Sequence, residues 1–140
     1  YIGGEVTCHQ DSTYLFQVEQ PITGLWFALE DATLENGCLW AIPGGHHTAL
    51  KSRMIRDHED KIRTEIYDAT PFAPDRMIPL EVSRGSLIVL HGLLPHMSYA
   101  NTSSRSRQAY TLHIGSELCT YPENNWLQRS SDLPFRGFLC

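Results

Sequence analysis

No stretch of the sequence reaches the roughly 18 apolar residues that signal a membrane-spanning helix, so no span is expected. Positive charge is scarce: 11 Lys and Arg stand against 16 Asp and Glu, for a formal charge of -5. The basic residues are scattered, and Arg105-x-Arg107 is too small to form an electrostatic footprint, so nucleic acid is not an expected partner. Cysteine is sparse. Cys8, Cys38, Cys119 and Cys140 show neither CxxC spacing nor the density of a disulfide scaffold, which favours a reducing, intracellular setting. Cytoplasmic placement is expected first, with the peroxisome left open. No repeat, low-complexity tract or Pro/Ser linker divides the chain, and residues 1–140 are read as a single domain. The opening YIGGEV has no Met and enters a strand-like run at once, so a missing N-terminal portion is expected.

What is present is a series of short apolar runs broken by turn residues. EVTCH (5–9), TGLWFALED (23–31), GCLWAIP (37–43), MIPLEV (77–82), GSLIVLHG (85–92), HMSYA (96–100) and RQAYTLHI (107–114) all read as strands. Glu35-Asn36-Gly37 and Pro43-Gly44-Gly45 mark turns between them. Many short strands and little helix predict a mainly all-β sandwich or barrel. Residues 49–75 differ, being charged, with weak helical spacing at Ile55, Ile62 and Ile66. The spacing predicts a helical or loop insertion there, either a solvated loop or a lid over the mouth of a barrel.

Within this pattern His9-Gln10-Asp11 places an imidazole and a carboxylate two apart, on one face if the segment is extended. A third ligand must come from another strand. His96 is the candidate, because Ser98 follows on the same face and Arg107 opens the next strand. If 96–100 and 107–114 form a hairpin, the Arg107 guanidinium can reach back to the Ser98 hydroxyl, a pairing suited to a carboxylate. Two histidines and one carboxylate fit the facial triad of non-haem Fe(II) oxygenases, which leaves coordination positions open. Spacing alone leaves an unrelated set of polar residues equally open. His46 is read as fixing its turn, and His91 and His113 as packing or supporting groups, since a triad needs only three ligands.

HQD (9–11), LEDATLENGCLWAIPGGH (29–46), HMSYANTSSRSRQAYTLH (96–113) and the late PENNWLQ…LPF (122–135) resemble the phytanoyl-CoA dioxygenase family, in order and essentially end to end. The resemblance implies a double-stranded β-helix, or jelly roll, of which this chain would be the C-terminal major part. It implies an oxidoreductase that uses Fe(II), 2-oxoglutarate and O2, with ascorbate left open as an accessory reductant. The expected reaction is hydroxylation of an aliphatic C–H bond in a small substrate, CoA-linked or lipid-like, with release of succinate and CO2. His9, Asp11 and His96 are implied as metal ligands. Gln10, Trp26, Ser98 and Arg107 are implied as 2-oxoglutarate contacts. The usual Pro-Gly-Ser-His of the family reads Pro-Gly-Gly-His at 43–46, a departure expected to be structurally minor. A small-molecule substrate is the one partner expected, and no protein partner is evident. The competing reading is a non-catalytic jelly-roll module that binds metal or 2-oxoglutarate, which succinate release would separate from an enzyme.

Overall fold

Strand formation is clearest at Thr23–Ala28, where Gly24, Trp26 and Ala28 are buried while Thr23, Leu25 and Phe27 face the other way. The computed structural model describes residues 3–138. It contains β1 (Val6–His9), β2 (Thr23–Ala28), β3 (Leu39–Ala41), β4 (Ser52–Arg56), β5 (Ile62–Ile66), β6 (Ile78–Leu80), β7 (Leu87–His91), β8 (His96–Ser98) and β9 (Ala109–Ile114). Short 3₁₀ turns occupy Asp11–Thr13, Gly45–His47 and Pro74–Arg76, and there is no α-helix among the described residues. Each run read as a strand contains one.

The strands form a sheet in the order β1-β8-β3-β6 and a second in the order β7-β2-β9, with β4-β5 apart as a hairpin. Every pairing is antiparallel. Outside the hairpin the chain crosses from sheet to sheet along β1, β2 and β3, and again along β6, β7, β8 and β9. This is the winding of a jelly roll. Trp26, Ala28 and Leu90 from one sheet meet Leu39 from the other, with Ala32 and Cys38 closing the core. Direct cross-strand partners share a face, so the opposite side of the β7-β2-β9 sheet carries Leu25 beside Val89 and Leu112, and Phe27 beside Leu87 and Tyr110. Leu87, Val89, Tyr110 and Leu112 are exposed there.

The insertion is a β-hairpin, which corrects the expectation of a helix or loop. Ile62, Thr64 and Ile66 alternate with Arg63 and Glu65, a period of two that outweighs the sparse helical spacing. The turn is built by Asp57, whose Oδ1 accepts the N–H groups of Glu59 and Lys61, and by Asp60 at φ 61°. β4 is tied down by the C-terminal segment around Asn125, a side chain with no exposure. Asn125 Nδ2 donates to Phe16 O (2.8 Å), and Arg53 Nη2 donates to Asn125 Oδ1 (2.9 Å) while its guanidinium lies over the Phe16 ring. This node joins the hairpin to the segment that follows Asp11. Asn125→Ala is expected to lower unfolding free energy by about 2–3 kcal/mol, because it strands the Phe16 carbonyl and leaves Arg53 Nη2 only its bond to Asn124 Oδ1. Urea unfolding measures this, and an unchanged midpoint would show that the node carries no stability.

Candidate metal centre

β1 and β8 are antiparallel neighbours, and their register sets His9 directly opposite His96, next to an irregularity between Val6 and His9. β1 stops at His9, but Gln10 keeps an extended backbone (φ -110°, ψ 133°), so Asp11 still projects to the side of His9 before the 3₁₀ turn begins. Asp11 Oδ1 lies 3.5 Å from His9 Nε2 and 3.6 Å from His96 Nε2. One ligand atom from each of the three residues falls within 4.8 Å of the others. The tautomers are fixed from behind: His9 Nδ1 pairs with Thr7 O (2.8 Å) and His96 Nδ1 with Leu94 O (2.9 Å). Each Nδ1 therefore carries the proton that meets its carbonyl, which leaves Nε2, on the Asp11 side, as the nitrogen each ring would offer a metal.

Burial works to raise the Asp11 pKa. The imidazoles of His113 and His9, with the charge of His96 and His113, overcome it and hold the carboxyl well below the usual carboxylate range. Burial pushes His96 down. It also works to lower His9, but the Asp11 carboxylate and the Thr7 carbonyl prevail and raise it. Asp11 Oδ2, Ser98 Oγ and Arg107 Nε are among the buried side-chain atoms without a hydrogen-bond partner. Such atoms are uncommon and each calls for an account, which a bound metal and an anion would supply. A donor set of two neutral imidazoles and one ionised carboxylate fits Fe(II).

Ser98 is buried on β8, two residues from His96 and on its face. Trp26 is 5% exposed and points into the core from β2, with Arg107 Cζ 5.6 Å from its ring centroid. One expectation needs correction. β8 and β9 lie in different sheets, so Ser98 and Arg107 are not brought together by a hairpin. Gln10 has no exposure: its Nε2 donates to Ala49 O (3.2 Å) and Leu93 O (2.9 Å), and its Oε1 accepts from Lys51 N (3.0 Å). Its amide pins the start of the hairpin strand to the site. His46 packs against His47 and His91, at 4.0 and 5.3 Å between ring centroids, as a cluster separate from the triad. At the glycine at 45, a Cβ would lie 2.7 Å from Pro95 Cδ.

Gly24 carried no signal in the sequence beyond being a glycine inside a strand. A Cβ on Gly24 would lie 3.0 Å from Asp11 Oδ2 and 3.4 Å from Leu90 Cβ. Gly24→Ala is therefore expected to displace the carboxylate by a few tenths of an ångström and to weaken metal binding roughly tenfold, the low end for a supporting position. The check is metal affinity beside a thermal melt, and unchanged affinity would show that the carboxylate has room to give. A surface groove lies elsewhere, between the hairpin turn and the C-terminal segment, and is lined by Asp57, His58, Asp60 and Glu123.

A family model described as Phytanoyl-CoA dioxygenase (PhyH) matches residues 1–109. Phytanoyl-CoA dioxygenase 1 of Oryza sativa subsp. japonica is 52% identical over 132 residues, which are 91% of this chain and 45% of the relative. Phytanoyl-CoA dioxygenase domain-containing protein 1 of Mus musculus is 45% identical over 141 aligned residues, 96% of this chain and 48% of the relative. The chain thus spans about half the length of the curated relatives it matches. Among solved structures, the non-heme alpha-ketoglutarate-dependent carbocyclase SnoK of nogalamycin biosynthesis superposes with a TM-score of 0.71 at 26% identity, covering 96% of this chain and 55% of that one. The apo form of the non-heme monooxygenase ThoJ gives 0.67 at 25% identity, covering 86% and 44%. No helix among the described residues is long and apolar enough to cross a membrane.

Proposed function

Because the chain belongs to the phytanoyl-CoA dioxygenase family, we propose that it carries the metal centre of an Fe(II)- and 2-oxoglutarate-dependent oxygenase that hydroxylates an aliphatic C–H bond of a small, CoA-linked or lipid-like substrate. The observation that carries this reading is the convergence of His9 Nε2, Asp11 Oδ1 and His96 Nε2, backed by carbonyls that fix both imidazole tautomers. When bound there, Fe(II) with 2-oxoglutarate and dioxygen supplies oxidative decarboxylation to succinate and CO2, coupled to hydroxylation of the substrate.

The chain's own residues perform the remaining tasks. His9, Asp11 and His96 present three donors from one side, leaving the opposite side to co-substrate, dioxygen and substrate. Arg107 offers a half-buried guanidinium without a carboxylate partner among the described residues, and Ser98 a buried hydroxyl with no bond of its own. Together they suit the distal carboxylate of 2-oxoglutarate, one supplying a fixed charge and the other a neutral donor. Trp26 walls the core side of Arg107 and keeps water from that face. Thr7 and Leu94 hold a proton on each Nδ1, so neither ring can turn its protonated nitrogen to the metal.

The test is anaerobic titration of the folded chain with Fe(II) and then 2-oxoglutarate, followed in the visible region, with succinate measured after air is admitted. A charge-transfer band and stoichiometric succinate are expected. A folded chain that takes up no Fe(II) would overturn the reading.

A further inference from the structure

We propose that His113 is a positioning residue for the metal-binding carboxylate: its Nε2–H holds Asp11 Oδ2, so that Oδ1 alone is presented to the metal. The inference rests on the reading of His9, Asp11 and His96 as ligands. The two oxygens of Asp11 face different company. Oδ1 is 3.5 and 3.6 Å from the two ligand histidines, while Oδ2 is 3.3 Å from His113 Nε2. This last approach is within ion-pair distance but off the line of a formed hydrogen bond, so Oδ2 stays unpaired in the structure. A small rotation of the imidazole closes it.

His113 arrives from the other sheet. It sits on β9 directly opposite Gly24 of β2, on the inward face shared with Trp26. Because Gly24 has no side chain, the carboxylate and the imidazole meet across its Cα: a Cβ there would lie 3.0 Å from Oδ2 and 3.6 Å from His113 Cδ2. No other polar partner binds the ring among the described residues. It also stands outside the group of three whose ligand atoms converge, which separates it from a fourth ligand. A buried carboxylate that binds through one oxygen must have its other oxygen satisfied, or it swings to chelate with both and fills a position the co-substrate needs.

The experiment uses Co(II) as a visibly absorbing stand-in for Fe(II), titrated into the parent chain, His113→Leu and His113→Gln, with near-ultraviolet circular dichroism on each. His113→Leu is expected to bind about 10- to 100-fold more weakly, with a shifted visible spectrum. His113→Gln, which restores an N–H donor, is expected to recover most of the affinity and the parent spectrum. Unchanged affinity and spectrum in His113→Leu would overturn the proposal and leave the ligand assignment standing. Equal loss in both variants would also overturn it, since that would mark the imidazole as a ligand. A parent chain that binds no Co(II) would remove the ligand assignment and this inference together.

Discussion

Asp11→Ala is expected to abolish Fe(II) binding while leaving the apo chain folded. The loss in affinity should exceed the roughly 100-fold that marks the upper end for residues acting only behind the ligands. Stability at neutral pH should fall modestly as well, because the imidazoles of His113 and His9, with the charge of His96 and His113, more than offset the burial of the charge and hold the carboxyl below its usual range. A folded pKa below the unfolded one contributes stability at every pH above the unfolded value, so the apo melting temperature drops while metal binding vanishes. His9→Ala would also lose the metal, but it removes an imidazole packed at 4.4 Å against His96 and so disturbs the sheet as well. If Asp11→Ala binds Fe(II) within about tenfold of the parent, the carboxylate is not a ligand.

The second large effect is expected at Arg107. Its guanidinium is held over Trp26, burial pushes its pKa down, and its Nε is buried without a partner. A cation kept in that state is a receptor for an anion. Arg107→Leu should weaken 2-oxoglutarate by about 3 kcal/mol, or roughly 100-fold, through loss of two charge-assisted hydrogen bonds. Fe(II) binding should be untouched. Arg107→Lys should recover only part, since a point charge cannot reproduce the fork. The apo Leu variant should melt higher, because a half-buried cation without a carboxylate partner has been replaced by an apolar side chain. Calorimetric titration of 2-oxoglutarate into the metal-loaded chain decides it, and affinity held in Arg107→Leu would place the co-substrate elsewhere.

Much of this architecture is legible in the residues because its signals are short in range. β2 declares itself by alternation, and the turns before β3 and after it are written in Asn36-Gly37 and Pro43-Gly44. That His9 and Asp11 face one side follows from the two-residue period. β4 and β5 were obscured because isoleucines at 55, 62 and 66 fit a weak helix as well as a strand, and the deciding information lay in the turn chemistry of Asp57. Long-range facts left no such trace. Nothing in the local pattern shows that β8 and β9 belong to different sheets, or that Gln10 spends its amide on Ala49, Leu93 and Lys51. The meeting of Gly24, Asp11 and His113 needs three elements in register, which no window of sequence contains.

The β7-β2-β9 sheet has two sides with separate duties, and this decouples solubility from chemistry. Gly24, Trp26 and His113 lie on the inward side with the candidate metal centre, while Leu87, Val89, Tyr110 and Leu112 look away from it into solvent. Sulfate, which is excluded from wet apolar surface, should salt the chain out at low concentration through that outer side. Val89→Thr with Leu112→Lys should raise the sulfate needed for precipitation and leave Fe(II) affinity as it was. The sheet thickness stands between the two effects, so handling properties can be tuned on one side without the ligands on the other registering the change.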